Sequence, residues 1–284
     1  MPLNYDRILS HRAGPLDASA DERTCILYAL GIGIGMDPTD KQQIKFVHER
    51  ELVAFPTVAS VLGWPGRLTD PAFGIDSRMV VAASLKVVLH RPLQPRERLS
   101  SDPRVVEIVD KGPGRHAILV SARTLVAPDG AEVARVESTS IARGHGGFGG
   151  RATDLPEPPA TPERAPDAAC DLPTPPNLAL IYRLTGDENP LHVDPDSARR
   201  SGFPRPILHG AATFGIAAHA VLRTCADYDP ARLAAIEARF SRPVFPGETI
   251  RTELWREDAG SIAFRCRVEE RNETVLTHGW ARLR

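Results

Sequence analysis

The chain has 284 residues, enough for one large domain or for two modules of about 140 each. It is 42% hydrophobic and 25% charged, a globular balance that excludes a disordered or collagen-like chain. A formal net charge of −1 removes the electrostatic case for nucleic acid or an anionic membrane surface, and neither is expected as a partner.

The first stretch, Met1 to Ala20, is polar and lacks an apolar core, so no signal peptide is expected. No run of about 18 apolar residues predicts a transmembrane helix. Cys25, Cys170, Cys225 and Cys266 are widely spaced with no C-x-x-C pair, which predicts reduced thiols and a cytoplasmic protein. A helix is predicted from Asp21 to Leu30, followed by Gly31-Ile32-Gly33-Ile34-Gly35. That spacing is G-x-G-x-G after a helix, not the G-x-G-x-x-G after a strand that cradles a dinucleotide, so it reads as a helix exit. A shorter helical piece spans Phe55 to Leu62 and is interrupted by Pro56.

Strands follow at Leu85–Leu89, Val105–Val109, Ala117–Val126 and Val133–Ile141, with turn chemistry at Lys111–Arg115 and Pro128-Asp129-Gly130. The second part repeats this order. Ile236–Phe240 enters Arg242-Pro243-Val244-Phe245-Pro246-Gly247-Glu248, which matches Arg91-Pro92-Leu93-Gln94-Pro95-Arg96-Glu97 as R-P-x-x-P-x-E. Ile250, Thr252 and Leu254 then alternate, Asp258-Ala259-Gly260 turns, and Ile262, Phe264, Cys266 and Val268 alternate again. Arg271-Asn272-Glu273 turns into a last strand ending near Leu283. Between the copies, Gly144 to Pro176 contains Gly-Gly-Phe-Gly-Gly and many prolines and reads as an interdomain linker. The organisation expected is residues 1–143 as one module, 144–176 as linker and 177–284 as a second module.

The reactive residues gather in the second module. In Tyr182-Arg183-Leu184-Thr185-Gly186-Asp187-Glu188-Asn189-Pro190-Leu191-His192-Val193-Asp194-Pro195, a carboxylate and an imidazole stand five residues apart. An unbroken helix would separate them by about 140°. Pro190 disfavours the α region at Asn189, and Gly186 frees the chain before Asp187. A short helix from Asn177 to Thr185 is therefore expected to run into a rigid turn that brings Asp187 and His192 to one point, as an acid–base pair needs. Asp194, before Pro195, reads as the start of the next turn.

Next comes Gly202-Phe203-Pro204-Arg205-Pro206-Ile207-Leu208-His209-Gly210 and a predicted helix from Ile207 to Cys225. Ile207, Ala211, Phe214, Ala218 and Val221 form one apolar stripe, and Pro206 suits a first helical turn. Gly210 falls early in this helix, where free N–H groups and the dipole favour a developing oxyanion. His209 beside it reads as a support or binding residue. A calcium loop is excluded because His192 and Ala198 occupy the positions that need Gly and Glu, and a closed zinc site would need more His or Cys, so no metal is expected. No G-x-S-x-G elbow is present for a serine hydrolase.

Y-R-L-T-G-D-x-N-P-L-H-x-D-P followed by G-F-x-x-P-I-L-H-G resembles the MaoC-like hydratases, the (R)-specific 2-enoyl-CoA hydratase 2 family. The resemblance implies an α+β double hotdog, two antiparallel sheets each wrapped around a helix, with a degenerate first half. It implies reversible hydration of a trans-2-enoyl-CoA to a (3R)-3-hydroxyacyl-CoA. Asp187 and His192 would share one water, with Asn189 orienting it and the Gly210 N–H binding the thioester oxygen. An acyl-CoA is then the small-molecule partner, no cofactor is needed, and a homodimer is the expected assembly. Alternatives are a dehydratase specialised for branched, steroid-side-chain or dicarboxylic acyl-CoA, a hotdog thioesterase, and a non-catalytic acyl-CoA-binding subunit. The shortened helix of the first half suggests a volume for the acyl tail, lined by Phe55, Val58 and Leu62.

Overall fold

The computed structural model describes residues 3–152, 155–258 and 260–284. Met1 and Pro2 of the polar amino end, Thr153 and Asp154 of the expected linker, and Ala259 of the Asp258–Gly260 turn lie outside the described residues. The strands are β1 (Leu16–Asp17), β2 (Val80–Leu89), β3 (Ser100–Ser101), β4 (Arg104–Asp110), β5 (Ala117–Val126), β6 (Glu132–Ala142), β7 (Ala168–Pro173), β8 (Leu233–Phe240), β9 (Thr249–Arg256), β10 (Ser261–Val268) and β11 (Glu273–Leu283). The helices are α1 (Tyr5–Ser10), α2 (Glu22–Gly31), α3 (Lys41–Ile44), α4 (Leu178–Tyr182), α5 (Pro195–Arg200) and α6 (Gly210–Cys225).

All strands join one 11-stranded sheet in the order β1-β3-β5-β6-β2-β8-β11-β10-β9-β7, with β4 paired to β5. The two halves meet where β2 runs antiparallel to β8, from Ser84 opposite Arg239 to Val88 opposite Ala235. This is a double hotdog: one curved sheet, with a central element laid against each half. In the second half that element is α6, whose residues from Ala212 to Leu222 are all buried. A helix apolar on every side must be wrapped on every side, and β7, β8 and β9 pack around it. In the first half the corresponding place holds only a 3₁₀ turn, Pro56–Ser60, followed by Val61 and Leu62. Phe55 and Val58 are fully buried there, with Phe55 against the Phe46 and Tyr28 rings at 5.4 and 6.5 Å.

The repeated R-P-x-x-P-x-E motif does the same work in both halves. Glu97 accepts the N–H of Gln94, and Glu248 accepts the N–H of Phe245, each closing the turn three residues before itself. Glu97 pairs with Arg91 of its own motif, whereas Glu248 takes Arg271 from the turn before β11.

Two boundaries are corrected. The stretch 144–176 expected to be a linker contains β7, which pairs with β9 from Ala168–Leu254 to Pro173–Thr249. Alternation at Ala168, Cys170 and Leu172 carries this strand, and the prolines around it obscured the pattern. The glycine-rich part is anchored as well, since Gly147 and Gly149 donate N–H bonds of 2.7 and 2.9 Å to the Asp110 carboxylate. The long helix starts at Gly210, not at Ile207. Leu208 donates its N–H to the Val244 carbonyl at 2.7 Å, which holds Pro206–His209 extended against the neighbouring loop.

Candidate active site

The turn that carries Asp187 and His192 is built as its residues dictate. α4 tightens into a 3₁₀ turn at Arg183–Thr185. Gly186 then adopts φ 121°, a left-handed conformation that glycine alone takes without strain. Asn189 is extended before Pro190 at φ −54°, ψ 121°, and Pro190 opens a second 3₁₀ turn ending at His192. Asp187 Oδ1 accepts the Asn189 N–H at 3.2 Å. The Asn189 side-chain oxygen accepts the Leu191 N–H at 3.2 Å. Asp187 Oδ2 and His192 Nε2 finish 4.0 Å apart, His192 buried and Asp187 one-third exposed.

His192 is held from behind. Its Nδ1–H donates to the Ile207 carbonyl at 2.9 Å, so the neutral ring keeps its lone pair on Nε2, the nitrogen that faces Asp187. Burial pushes the imidazole pKa below 6.5, opposed by the Ile207 bond and the Asp187 charge and assisted by the Arg67 charge. The His209 ring stacks on His192 with centroids 3.7 Å apart and planes 25° apart. His209 Nε2–H donates to the Asp187 backbone carbonyl at 3.1 Å. Burial and the neighbouring His192 push its pKa down to about 3. At 1% exposure it is buried against the His192 ring.

Gly210 is the first residue of α6, with His209 at the cap position, so its N–H is among the free donors of the helix start. Asp194 caps α5 by accepting the N–H groups of Asp196 and Ser197, the structural role expected. Phe55, Val58 and Leu62 lie in the one large hydrophobic core that runs through both halves, together with Tyr182, Leu208 and Phe214. A recess of about 160 Å³ lies beside the later turns of α6, lined among others by Ile32, Met36, Leu172, Ile216 and Arg223.

Among the described residues, Asp187, His192 and His209 are the one cluster whose ligand atoms all fall within 4.8 Å of one another. The arrangement does not suit an ion. Stacked rings run their in-plane lone pairs side by side instead of converging, and the Ile207 and Asp187 carbonyls already take one nitrogen of each ring. Sequence reasoning gave no role to Tyr182, whose ring lies 5.0 Å from that of His209. Nor did it find Arg67, which comes from a loop of the other half and has no local signal.

A carboxylate and an imidazole 4.0 Å apart, close to the start of the central helix, stand on a double hotdog fold. Residues 157–278 match the MaoC-like domain and residues 19–144 the MFE-2 hydratase 2 N-terminal domain. The chain is 38% identical over 260 residues to 3-hydroxyacyl-thioester dehydratase Y of Mycobacterium tuberculosis, covering 87% of this chain and 86% of that one. It is 35% identical to the peroxisomal enoyl-CoA hydratase 2 of Arabidopsis thaliana, covering 96% and 94%. A MaoC-like dehydratase from Phytophthora capsici superposes with a TM-score of 0.87 at 32% identity, over 99% of both chains. The chain belongs to the MaoC-like hydratase and dehydratase family.

Proposed function

We propose that this protein is an enoyl-CoA hydratase that converts a trans-2-enoyl-CoA and water reversibly into a (3R)-3-hydroxyacyl-CoA. The observation that carries the reading is the 4.0 Å separation of Asp187 Oδ2 and His192 Nε2 beside the first turn of α6. One water oxygen about 2.8 Å from each atom spans that gap. His192 Nε2, with its lone pair free, takes the water proton as the oxygen bonds to C3. The C2–C3 π pair moves towards the thioester oxygen, where the Gly210 N–H and the helix dipole stabilise it. The same imidazolium returns a proton to C2 as the enolate collapses, and the Asp187 carboxylate steadies the charge between the two transfers. Asn189 completes the pocket by holding Asp187 through its backbone N–H, and its side-chain amide orients the water.

The reaction so written consumes water and the thioester alone, so we infer that no metal or organic cofactor takes part. We assign the acyl tail to the first half, at Phe55, Val58 and Leu62, because the central helix is replaced there by a single 3₁₀ turn. A homodimer in the cytoplasm is the assembly and compartment proposed. The four free cysteines support a reducing environment, and no helix of the described residues is long and apolar enough to cross a membrane.

The test follows the loss of enoyl-thioester absorbance on a series of trans-2-enoyl-CoAs, with the product offered to an S-specific 3-hydroxyacyl-CoA dehydrogenase. Absorbance should fall and the dehydrogenase should form no NADH. No turnover on any chain length, or brisk NADH formation, overturns the reading.

A further inference from the structure

We propose that His209 is a positioning residue, a neutral imidazole that sets the Asp187–His192 separation by gripping the Asp187 main chain and backing the His192 ring. It makes both contacts at once: its Nε2–H reaches the Asp187 carbonyl at 3.1 Å, and its ring lies on His192 at 3.7 Å. One side chain therefore touches both members of a pair that stand five residues apart, one through the backbone and one through the ring face.

The ring also packs against Tyr182, with centroids 5.0 Å and planes 47° apart, and Tyr182 in turn packs against the first half through Tyr28. A Cβ placed on Gly31, at the end of α2, would lie 2.9 Å from Tyr182 Cδ2. The column Gly31–Tyr182–His209–His192 thus runs from a helix of one half to the reactive nitrogen of the other. With Nε2–H committed to a carbonyl, Nδ1 carries the lone pair, and that atom is buried without a hydrogen-bond partner. A proton there would place a cation against His192 in a water-poor stack, which is why the ring stays neutral. The charged and titratable groups facing this pair are Asp187 and Arg67 around His192, and Arg183 and Tyr182 around His209.

A misplacement near 1 Å between reacting groups costs as much as about 100-fold in rate. Its catalytic effect presupposes the acid–base reading of Asp187 and His192 given above. The experiment therefore has one kinetic and one spectroscopic part. His209→Phe keeps a ring against His192 and removes the donor, whereas His209→Asn keeps a donor and removes the stack. Both should lower kcat by about 10–100-fold with KM little changed. Both should raise the acid limb of the kcat/KM profile towards 6.5, as water reaches His192. In the wild-type protein, ¹⁵N NMR of the imidazoles should find His209 neutral and protonated on Nε2 down to pH 5, and His192 protonated on Nδ1. The spectroscopic result stands whether or not enoyl-CoAs are the substrates, and it survives a variant that fails to fold. A wild-type His209 protonated on Nδ1 overturns the proposal. So do folded variants whose kcat and His192 titration match the parent.

Discussion

Gly210 and Phe240 meet across the first turn of α6 and the end of β8: a Cβ on Gly210 would stand 3.2 Å from Phe240 Cε1. Such a contact is tighter than ordinary packing allows, so a side chain at 210 must push either the ring or the helix start. The helix start carries the N–H proposed to bind the thioester oxygen, and loss of one such donor costs about 2.7–4 kcal/mol of barrier. Gly210→Ala should therefore lower kcat by an order of magnitude or more while KM changes little. Adding Phe240→Leu should restore part of the loss by opening the space. Steady-state kinetics on the two variants decide it, and an Ala variant as fast as the parent removes Gly210 from the oxyanion site.

Asp187→Asn and His192→Ala should each reduce kcat by about 10²–10⁴, with melting temperatures close to that of the parent. His192 Nδ1–H also donates to the Ile207 carbonyl, so His192→Gln, which can keep a donor there, should be as inactive as His192→Ala and at least as stable. Thermal melts beside single-turnover rates separate the two effects.

The buried histidines make stability depend on pH in a stated direction. His209 is pushed down to about 3 and His219 to about 4, both chiefly by burial. The unfolded chain titrates both near 6.5 and so binds more protons than the fold between those values. Their stabilising contribution is complete above 6.5 and drains away as the pH falls towards 4. At pH 5 each should have forfeited about 2 kcal/mol. Urea midpoints measured from pH 8 to pH 4.5 should decline below pH 6.5, and His219→Gln should flatten the slope. A flat profile contradicts neutral burial. Turnover follows the same sense: in the proposed reaction His192 must be unprotonated, burial lowers its pKa below 6.5, and kcat/KM should fall with acid with its midpoint below pH 6.5.

If the first half receives the acyl tail, Val58→Ala should raise kcat/KM for long enoyl-CoAs relative to crotonyl-CoA. Val58 is fully buried, so the change also leaves a cavity and lowers the melting temperature. Equal losses on every chain length would return Val58 to a purely structural role. Activity should persist through exhaustive chelation and dialysis, and metal-dependent recovery would contradict the cofactor-free reaction.

The turn that carries Asp187 and His192 was legible because its signals are local. Gly186, Asn189-Pro190 and Asp194-Pro195 each dictate backbone angles within a few residues, and the turn observed follows them. The longer strands of each half were legible along the chain for the same reason, from alternation and turn chemistry. What was hidden depends on distance. β7 is short and flanked by prolines, and only its partner β9 shows it to be a strand. The start of α6 was misplaced because the Val244 carbonyl that captures Leu208 lies 36 residues away in the chain. The stack of His192 on His209 joins residues 17 apart, and nothing in either neighbourhood announces it.

The pairing of β2 with β8 has a consequence for synthesis. Val87 finds its partner Ile236 only after some 150 further residues have left the ribosome. Until then one edge of β2 stays open beside a finished β6, a long strand with unpaired amides. Non-local pairing of this kind slows folding, and the exposed interval invites pairing with other nascent chains. An isolated first half, residues 3–143, should therefore self-associate through β2, standing in for its missing β8 with a second copy of itself.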